Sequence, residues 1–473
     1  MKNMIIFTKK IMFTQSVYIN RRNNLKSKGL KGIGLILGNT ESPMNYAANT
    51  YKFRQDSTFL YFFGLNLSNL AGVIDFDNGE EYIFGDDVEI DDIIWMGPQP
   101  TMKELASQVG VNKVLPFNNL YEYISKQINL NREIHFLPPY RAENKILLNE
   151  LLGIPIKELK TKSSVELVRA VVSLRSIKSD EEIAEMEIAA EIGYKMHMCV
   201  FKMAKPGIKE QEIAGMMDGI SYQYGEGPSF PTILSVHGET LHNPYHNNIM
   251  QAGQLLLADA GAQANSFYAS DYTRVTPVSG KFTQKQKEIY EIVRRANQNT
   301  IEMSAPGQKY LDIHLAAAKV IASGLIELGL MKGNPDEAIA KGAHTLFFVH
   351  GLGHMLGLDV HDMEDLGENY VGYDNELNRS TEFGTGSLRF ARTLKPGMVV
   401  TDEPGIYFIP ALIEKWKAEN KLSEFINYNQ VEKYLDFGGI RLEDDILITD
   451  NGCKLIGKRL PITIDEVENA MKE

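Results

Sequence analysis

The chain has 473 residues, of which 44% are hydrophobic and 23% charged, which predicts a globular protein of two or more domains. Its net charge of −12 disfavours nucleic acid as a partner, and no apolar run reaches the length of about 18 residues that predicts a membrane span. Two cysteines, Cys199 and Cys453, are too few for a disulfide scaffold and favour a reducing, cytoplasmic location.

The amino-terminal part is predicted to form an α/β domain over residues 1–173. The apolar stretch before residue 13 is too short and interrupted for a secretory signal, and Met12 is an alternative start to Met1. Beyond it, strand-like and helix-like segments alternate, which predicts a mixed or parallel sheet. The predicted strands cover residues 33–37, 70–76, 81–84, 113–116 and 134–137, and a predicted helix covers 102–109.

Residues 174–473 are predicted to form an α+β domain, with helices on one face of an antiparallel sheet. Ser179 and Glu182 have the spacing of a capping box that opens a long helix. Predicted helices begin near residues 179, 209, 283 and 310, and Pro-Gly pairs at 206–207 and 306–307 separate the members of each pair. Strand-like segments follow each helix pair, which suggests an internal duplication of an ααββ unit.

Two aspartates flank a predicted hairpin in this domain. Asp259 follows the apolar run 255–258, and Asp271 comes after a polar tip at 263–266. Paired strands bring facing side chains within about 5 Å of one another. Either aspartate alone is compatible with an ordinary surface role, but burying Asp259 after an apolar run is costly unless the carboxylate has a partner.

Three of the ten histidines fall within one short, glycine-rich stretch, at His350, His354 and His361. Glycine lets the backbone approach a neighbouring group closely, and neutral imidazole is a good metal ligand. Buried structural histidines are the alternative for any one of them. The trio favours one metal ligand with two hydrogen-bonding or proton-transferring partners.

Further along the chain, acidic residues occur at two predicted strand ends. Glu403 lies between an apolar strand and a Pro-Gly turn. Strand alternation places Arg441 and Glu443 on one face, where the arginine can orient the carboxylate.

The candidate ligands form a hard, oxygen-rich set that favours Mn²⁺, Fe²⁺ or Co²⁺ over a thiolate zinc site. They are Asp259, Asp271, His354, Glu403 and Glu443. Four carboxylates balance two divalent ions, and a pair of ions about 3.5–4 Å apart activates a water and clamps the atom that it attacks. A glutamate beside that water is a candidate general base.

These stretches resemble the aminopeptidase P/prolidase family of "pita-bread" metallopeptidases. The resemblance covers roughly residues 175–460, and the matching stretches are 259–261, 268–274, 350–354, 357–362, 396–405 and 441–445. It implies a pita-bread fold with pseudo-two-fold ααββ repeats. It also implies that the five residues named above hold two metal ions, usually Mn²⁺, with Co²⁺, Fe²⁺ and Zn²⁺ as alternatives.

The resemblance further implies roles for residues around the metals. Glu403 would accept the proton of a metal-bridging water, so that a hydroxide attacks the peptide, while Arg441 would support the site. His350 and His361 would contact the substrate and the transition state. An upstream histidine would also contact the substrate; His242 has the better spacing and His246 is the competitor.

Residues 53–57 and 59–64 are similar to the amino-terminal domain of the same family, which shapes the substrate entrance and oligomer contacts. The implied function is a cytoplasmic Xaa-Pro aminopeptidase that forms a homo-oligomer, either a dimer or a tetramer. Its substrates would be peptides with proline at the second position. Prolidase, which cuts Xaa-Pro dipeptides, is the alternative, and a non-catalytic pita-bread binding protein is a more distant one.

Two details remain open from the sequence. The interval from Asp259 to Asp271 is one residue longer than the family's usual pattern. An extra residue at the hairpin tip is harmless, whereas one within a strand would shift the register and misdirect an aspartate. In addition, apolar residues near Glu403 are candidates for a proline pocket, namely Phe390, Tyr407, Phe408 and Ile409.

Overall fold

The computed structural model describes residues 12–472, which divide into two compact units between Arg175 and Ser176. The sequence places a domain boundary after residue 173. That the two parts are independent domains separated there remains a proposal. The choice of Met1 or Met12 as the start concerns residues 1–11, which lie outside the described part. Within that part, no helix combines the length and apolar character needed to cross a membrane.

The first unit is built on a five-stranded sheet in the order β6-β5-β4-β1-β7. The strands of the unit are β1 (Ile33–Leu37), β2 (Pro43–Tyr46), β3 (Asn49–Thr50), β4 (Ala71–Asp75), β5 (Glu81–Phe84), β6 (Lys113–Leu115) and β7 (Ile134–Phe136). Strand β1 pairs antiparallel with β4 and parallel with β7, so the predicted mixed sheet is confirmed. The strands β2 and β3 form a separate exposed hairpin.

The first unit also contains helices, of which α5 (Asn119–Asn129) and α6 (Ala142–Leu152) pack on the sheet and complete its core. The others are α1 (Gln15–Lys26), α2 (Ser57–Phe63), α3 (Ile90–Met96), α4 (Met102–Gln108), α7 (Leu159–Lys162) and α8 (Val165–Arg175). The apolar side chains of Leu35, Val73 and Phe84 from the sheet form a buried cluster with Ile124 of α5 and Leu148 of α6. Burial of this kind contributes about 25 cal/mol per Å² of apolar surface.

The second unit contains two helix pairs that are joined in the same way. They are α9 (Asp180–Met203) with α10 (Glu210–Tyr224), and α11 (Gln284–Met303) with α12 (Tyr310–Glu327). The glycine of each Pro-Gly pair is left-handed, at φ +89° for Gly207 and +87° for Gly307. Their N–H groups donate to Met250 O at 2.8 Å and to Leu394 O at 2.9 Å. Equivalent turns with equivalent hydrogen bonds confirm the expected duplication.

Short antiparallel sheets follow each helix pair. The strands are β8 (Gly227–Pro228), β9 (Ile233–Ser235), β10 (Leu255–Ala260), β11 (Ala262–Gln263), β12 (Tyr272–Pro277), β13 (Val399–Asp402), β14 (Gly405–Tyr407), β15 (Gly439–Arg441), β16 (Asp444–Thr449) and β17 (Gly452–Leu455). They pair in the orders β12-β10-β9, β13-β16-β17, β14-β15 and β11-β8. The remaining helices are α13 (Pro335–Ala340), α14 (Glu368–Val371), α15 (Pro410–Ala418), α16 (Tyr428–Val431) and α17 (Ile464–Ala470).

The core of the second unit determines which side of β10 faces the site. Leu256 and Ala258 of this strand pack with Met196 of α9 and Met217 of α10 in one buried cluster. Side chains alternate along a strand, so Asp259 points to the opposite face. The helix-packed face therefore fixes the orientation of the candidate ligand.

Candidate metal centre and active site

The hairpin that carries the two aspartates keeps both on one face. Asp259 lies opposite Thr273 in the β10–β12 pairing, and Asp271 precedes Thr273 by two residues, so their side chains share a side. The connection between the strands includes Phe267 in a left-handed conformation, at φ +69°. The register shift that would misdirect one aspartate is therefore absent from this hairpin.

Three of the predicted ligands form the centre of the cluster. Ligand atoms of Asp271, His354 and Glu443 all lie within 4.8 Å of one another. His354 Nε2 is 3.4 Å from Asp271 Oδ2 and 3.9 Å from Glu403 Oε1, which adds the fourth member. His354 Nδ1 lies 3.0 Å from the carbonyl of Met355, so Nδ1–H donates there and Nε2 keeps its lone pair for a metal.

Asp259, the fifth predicted ligand, is held at the edge of the cluster by Arg441. The Arg441 guanidinium donates from Nη2 to Asp259 Oδ2. The other oxygen of Asp259, and Oδ1 of Asp271, are buried and have no hydrogen-bond partner. Buried carboxylate oxygens left in this state are costly, and a bound cation would satisfy both. The residues present therefore fit a divalent metal site.

The electrostatics of the cluster support the same conclusion. Burial, followed by the neighbouring carboxylates, raises the pKa of Asp271 and of Glu443 well above the usual range. Burial also raises the pKa of Glu403. Several buried carboxylates facing one guanidinium carry excess negative charge, and divalent cations with oxygen ligands relieve this charge.

Two further histidines border the cluster in neutral form. Burial lowers the pKa of His350 to about 3 and that of His361 to about 4. His350 Nδ1 donates to Gly351 O at 2.7 Å, so its Nε2 accepts from the Tyr407 hydroxyl at 2.8 Å. His361 Nδ1 donates to Glu364 Oε2 at 3.1 Å, which leaves Nε2 as its available ring atom.

The predicted metal ligands and the residues predicted to act beside them line one cavity of about 710 Å³. They are His242, Asp259, Asp271, His350, His354, His361, Glu403, Arg441 and Glu443. His246 is outside the lining, and its Nδ1 donates to Leu234 O at 3.0 Å. His242 therefore lies at the cavity, as an upstream substrate histidine must, and its role there stays a prediction.

The apolar part of the cavity differs from the predicted proline pocket. Phe390, Tyr407, Phe408 and Ile409 do not line it, so that prediction was wrong. Phe408 instead stacks on Tyr434, and the Tyr407 hydroxyl also accepts from Arg441 Nη1 at 2.8 Å. The apolar wall comes from more distant segments, namely Phe230, Pro231, Ile233, Leu241, Pro244, Val349 and Val360.

Sequence reasoning also missed two polar residues of the site. Thr273 donates from Oγ1 to Glu443 Oε2 at 2.7 Å and accepts from Arg441 Nε at 3.1 Å. Arg389 lines the cavity and donates to Glu364 and Glu368. Thr273 lies within the matched stretch 268–274, so a signal existed, whereas nothing around Arg389 distinguished it from a surface arginine.

Comparisons with known proteins agree with this geometry. Residues 184–450 match metallopeptidase family M24, and residues 18–135 match the aminopeptidase P N-terminal domain. The Xaa-Pro dipeptidase of Homo sapiens is 30% identical over 446 residues, which cover 92% of this chain and 88% of that protein. The Xaa-Pro aminopeptidase of Escherichia coli K12 is 31% identical over 440 residues, covering 90% of each.

A solved structure extends the likeness to the whole fold. Zinc-substituted aminopeptidase P of Escherichia coli, in complex with product, superposes with a TM-score of 0.79 at 29% identity, covering 97% of this chain and 98% of that one. The superposition confirms the expected pita-bread fold. Because the family match extends over more than half of the chain, the protein belongs to metallopeptidase family M24, the metal-dependent peptidases, and carries an aminopeptidase P N-terminal domain.

Proposed function

We propose that the protein is an Xaa-Pro aminopeptidase, which removes the N-terminal residue that precedes proline. The observation that carries the proposal is the cluster of Asp271, His354 and Glu443, with Asp259 and Glu403 beside it, on the wall of an open cavity. Apolar side chains on the same cavity lining provide a surface for a proline ring. Since an Xaa-Pro bond has no N–H, recognition must come from such packing rather than from a backbone hydrogen bond.

The proposed chemistry divides between ions and side chains. When bound, two divalent ions supply polarisation of the scissile carbonyl and lower the pKa of a water toward neutrality. Asp259, Asp271, His354, Glu403 and Glu443 would hold them. An oxygen-rich set favours Mn²⁺, with Co²⁺, Fe²⁺ and Zn²⁺ as alternatives.

Glu403 is the proposed proton acceptor. Its carboxylate lies beside the ligand cluster, with Oε1 3.9 Å from His354 Nε2, where it would reach the proton of an activated water. His361 presents Nε2 to the substrate, because its Nδ1–H is donated to Glu364. Arg441 orients Asp259, and His242, which lines the same cavity, contacts the substrate.

An Xaa-Pro dipeptidase is the second candidate, and the surroundings of Arg389 bear on the choice between the two. A dipeptide ends in a carboxylate within the site, and such a group needs a cation. Arg389 lies on the cavity wall, although Glu364 and Glu368 already accept hydrogen bonds from it at 2.7–3.0 Å. This partial neutralisation favours longer peptides.

The test is product analysis with metal-depleted protein and added Mn²⁺, on Xaa-Pro-Pro, Xaa-Pro and Xaa-Ala-Pro peptides. We expect cleavage of the first, slower cleavage of the second and none of the third.

Glu403→Gln should lower kcat about 10²–10⁴-fold. His242→Ala should raise KM, whereas His246→Ala, outside the cavity, should match the parent. Faster cleavage of the dipeptide would favour the second candidate, and no cleavage of either proline peptide would refute both.

Location and assembly are part of the same proposal. We place the protein in the cytoplasm, and both cysteines, Cys199 and Cys453, are unpaired, as a reducing compartment requires. A homo-oligomer is supported by helix α3, whose Ile90, Ile94 and Trp95 are 70%, 69% and 86% exposed. Light scattering on the purified protein distinguishes a dimer or tetramer from a monomer.

A further inference from the structure

A buried ion pair holds the loop that carries His361, since one of its members, Asp362, follows that histidine in the chain. Lys178 Nζ is 3.0 Å from Asp362 Oδ2, and each side chain is only 1% exposed. Burying two charges costs several kcal/mol in desolvation, so such a pair is weak evidence for a stabilising role. Lys178 does not line the cavity, and none of the roles derived above involves it.

The loop and the ion pair fit together tightly. Asp362 N–H donates to Met355 O at 2.9 Å, which closes the loop on itself, and Lys178 N–H donates to Gly397 O at 2.8 Å. A Cβ on Gly357 would lie 2.4 Å from Asp362 Oδ2 and 3.0 Å from Lys178 Cε. Only glycine therefore admits the pair at this point, and the lysine has little room to move.

The same loop contains a strained residue. Met363 is fully buried and has φ +65°, a left-handed conformation that is unfavourable for a residue with a Cβ. Such strain persists only where the surroundings over-determine the backbone. The ion pair at Asp362, immediately before Met363, supplies one of these constraints.

His361 depends on this conformation for its own placement. Its ring centroid is 4.1 Å from that of His354, and its Nδ1 donates to Glu364, on the far side of Met363. A relaxed backbone at Met363 would separate the imidazole from the carboxylate that orients it. We propose that Lys178 is a positioning residue for His361, acting through Asp362 without touching the substrate. This proposal rests on the proposed function of His361 as a substrate contact.

Lys178→Met tests the proposal, because it removes the charge and keeps most of the stem. We expect kcat for an Xaa-Pro-Pro peptide to fall about 10–100-fold, the scale on which a misplaced group costs rate, with KM and bound metal unchanged. Lys178→Arg should recover part of the loss. In a His361→Ala background, Lys178→Met should have no further effect on kcat. Equal losses in both backgrounds would overturn the proposal.

Two controls separate positioning from folding. The double variant Lys178→Met/Asp362→Asn leaves no buried unpaired charge. If its melting temperature equals the parent's and its kcat is still low, the loss of activity cannot come from unfolding. Arg22→Met removes another buried cation, which bonds Glu81 at 2.7 Å in the first unit. It should lower the melting temperature and leave kcat intact; a loss of kcat equal to that of Lys178→Met would also overturn the proposal.

A readout without turnover distinguishes this failure from failure of the proposed function. The His361 imidazole resonance, assigned by its loss in His361→Ala, should shift in Lys178→Met and return toward the parent position in Lys178→Arg. A parent that cleaves no Xaa-Pro peptide would refute the function alone. An unshifted His361 resonance in Lys178→Met would refute the positioning role, whatever the activity.

Discussion

One threonine connects the two sides of the candidate metal centre. Thr273 is fully buried, donates to the Glu443 carboxylate and accepts from Arg441. Arg441 in turn holds Asp259. A residue that holds metal ligands in place before the metal binds lowers the free energy spent on ordering the site. Its removal therefore weakens metal binding.

We therefore expect Thr273→Val to weaken metal binding about 10–100-fold, the range found when such partners are removed. The change keeps the side-chain shape and deletes one hydroxyl. Thr276→Val is the matched control on the same strand, because the buried Thr276 Oγ1 has no hydrogen-bond partner. Competition with a fluorescent chelator measures both affinities. Equal affinities in the two variants would show that Thr273 does not orient the ligands.

For single residues, the metal-binding chemistry could be predicted from the sequence, whereas the packing of apolar side chains around the cavity could not. The types and spacing of Asp271, His354 and Glu443 point to a metal because few other roles need them together. The apolar lining of the cavity does not follow from sequence proximity to Glu403. Phe230 and Leu241 lie in the connecting segments before and after β9, far from Glu403 in sequence, and reach the cavity only through the fold.

Among elements, the repeated Pro-Gly turns give the duplication a physical basis. Gly207 and Gly307 follow the first helix of each pair, and no heavy atom lies within 4 Å of a Cβ built on either. Any cost of a side chain there is therefore backbone strain alone. Both N–H groups also donate to a carbonyl from a distant segment.

Gly207→Ala and Gly307→Ala should each lower the free energy of unfolding by about 1–2 kcal/mol, and by similar amounts. Gly215→Ala is the control, since Gly215 lies inside α10 with open space around its Cβ position and without positive φ. Alanine there should stabilise by about 0.5–1 kcal/mol. Denaturant unfolding measures all three. Unequal costs at the two turns would contradict their structural equivalence.

Helix starts were the most predictable elements because local chemistry determines them. The Ser179 N–H donates to Glu182 at 3.0 Å, and Thr283 and Gln286 form a capping box at the predicted start of α11. The hairpin tip was less predictable. Residues 262–263 there form β11, which pairs with β8, a contact that depends on a segment more than thirty residues upstream.

In the second unit, three buried neutral histidines lie outside the lining of the candidate site. His197, His314 and His344 are buried, and burial lowers their pKa values to about 4, about 3 and about 4. Both ring nitrogens of His314 and of His344 have no hydrogen-bond partner. The fold buries these rings in their uncharged form, so protonating them destabilises the folded state.

Acid should therefore destabilise the protein through these rings, and His314→Phe should reduce the effect. Folded His314 stays neutral to about pH 3, whereas the unfolded chain takes up the proton near its ordinary pKa of 6.5. Between these values the unfolded state binds more protons, so stability falls as pH falls, by up to about 1.4 kcal/mol per pH unit for one group. The variant has no imidazole at this position, so its unfolding free energy should exceed the parent's below pH 6, by a difference that grows as the pH falls.

Exposed His237 provides the control, because its change to alanine should leave the pH dependence of the unfolding free energy as in the parent. Parallel curves for His314→Phe and the parent, followed by urea unfolding from pH 7 to pH 4, would mean that His314 takes up its proton without unfolding.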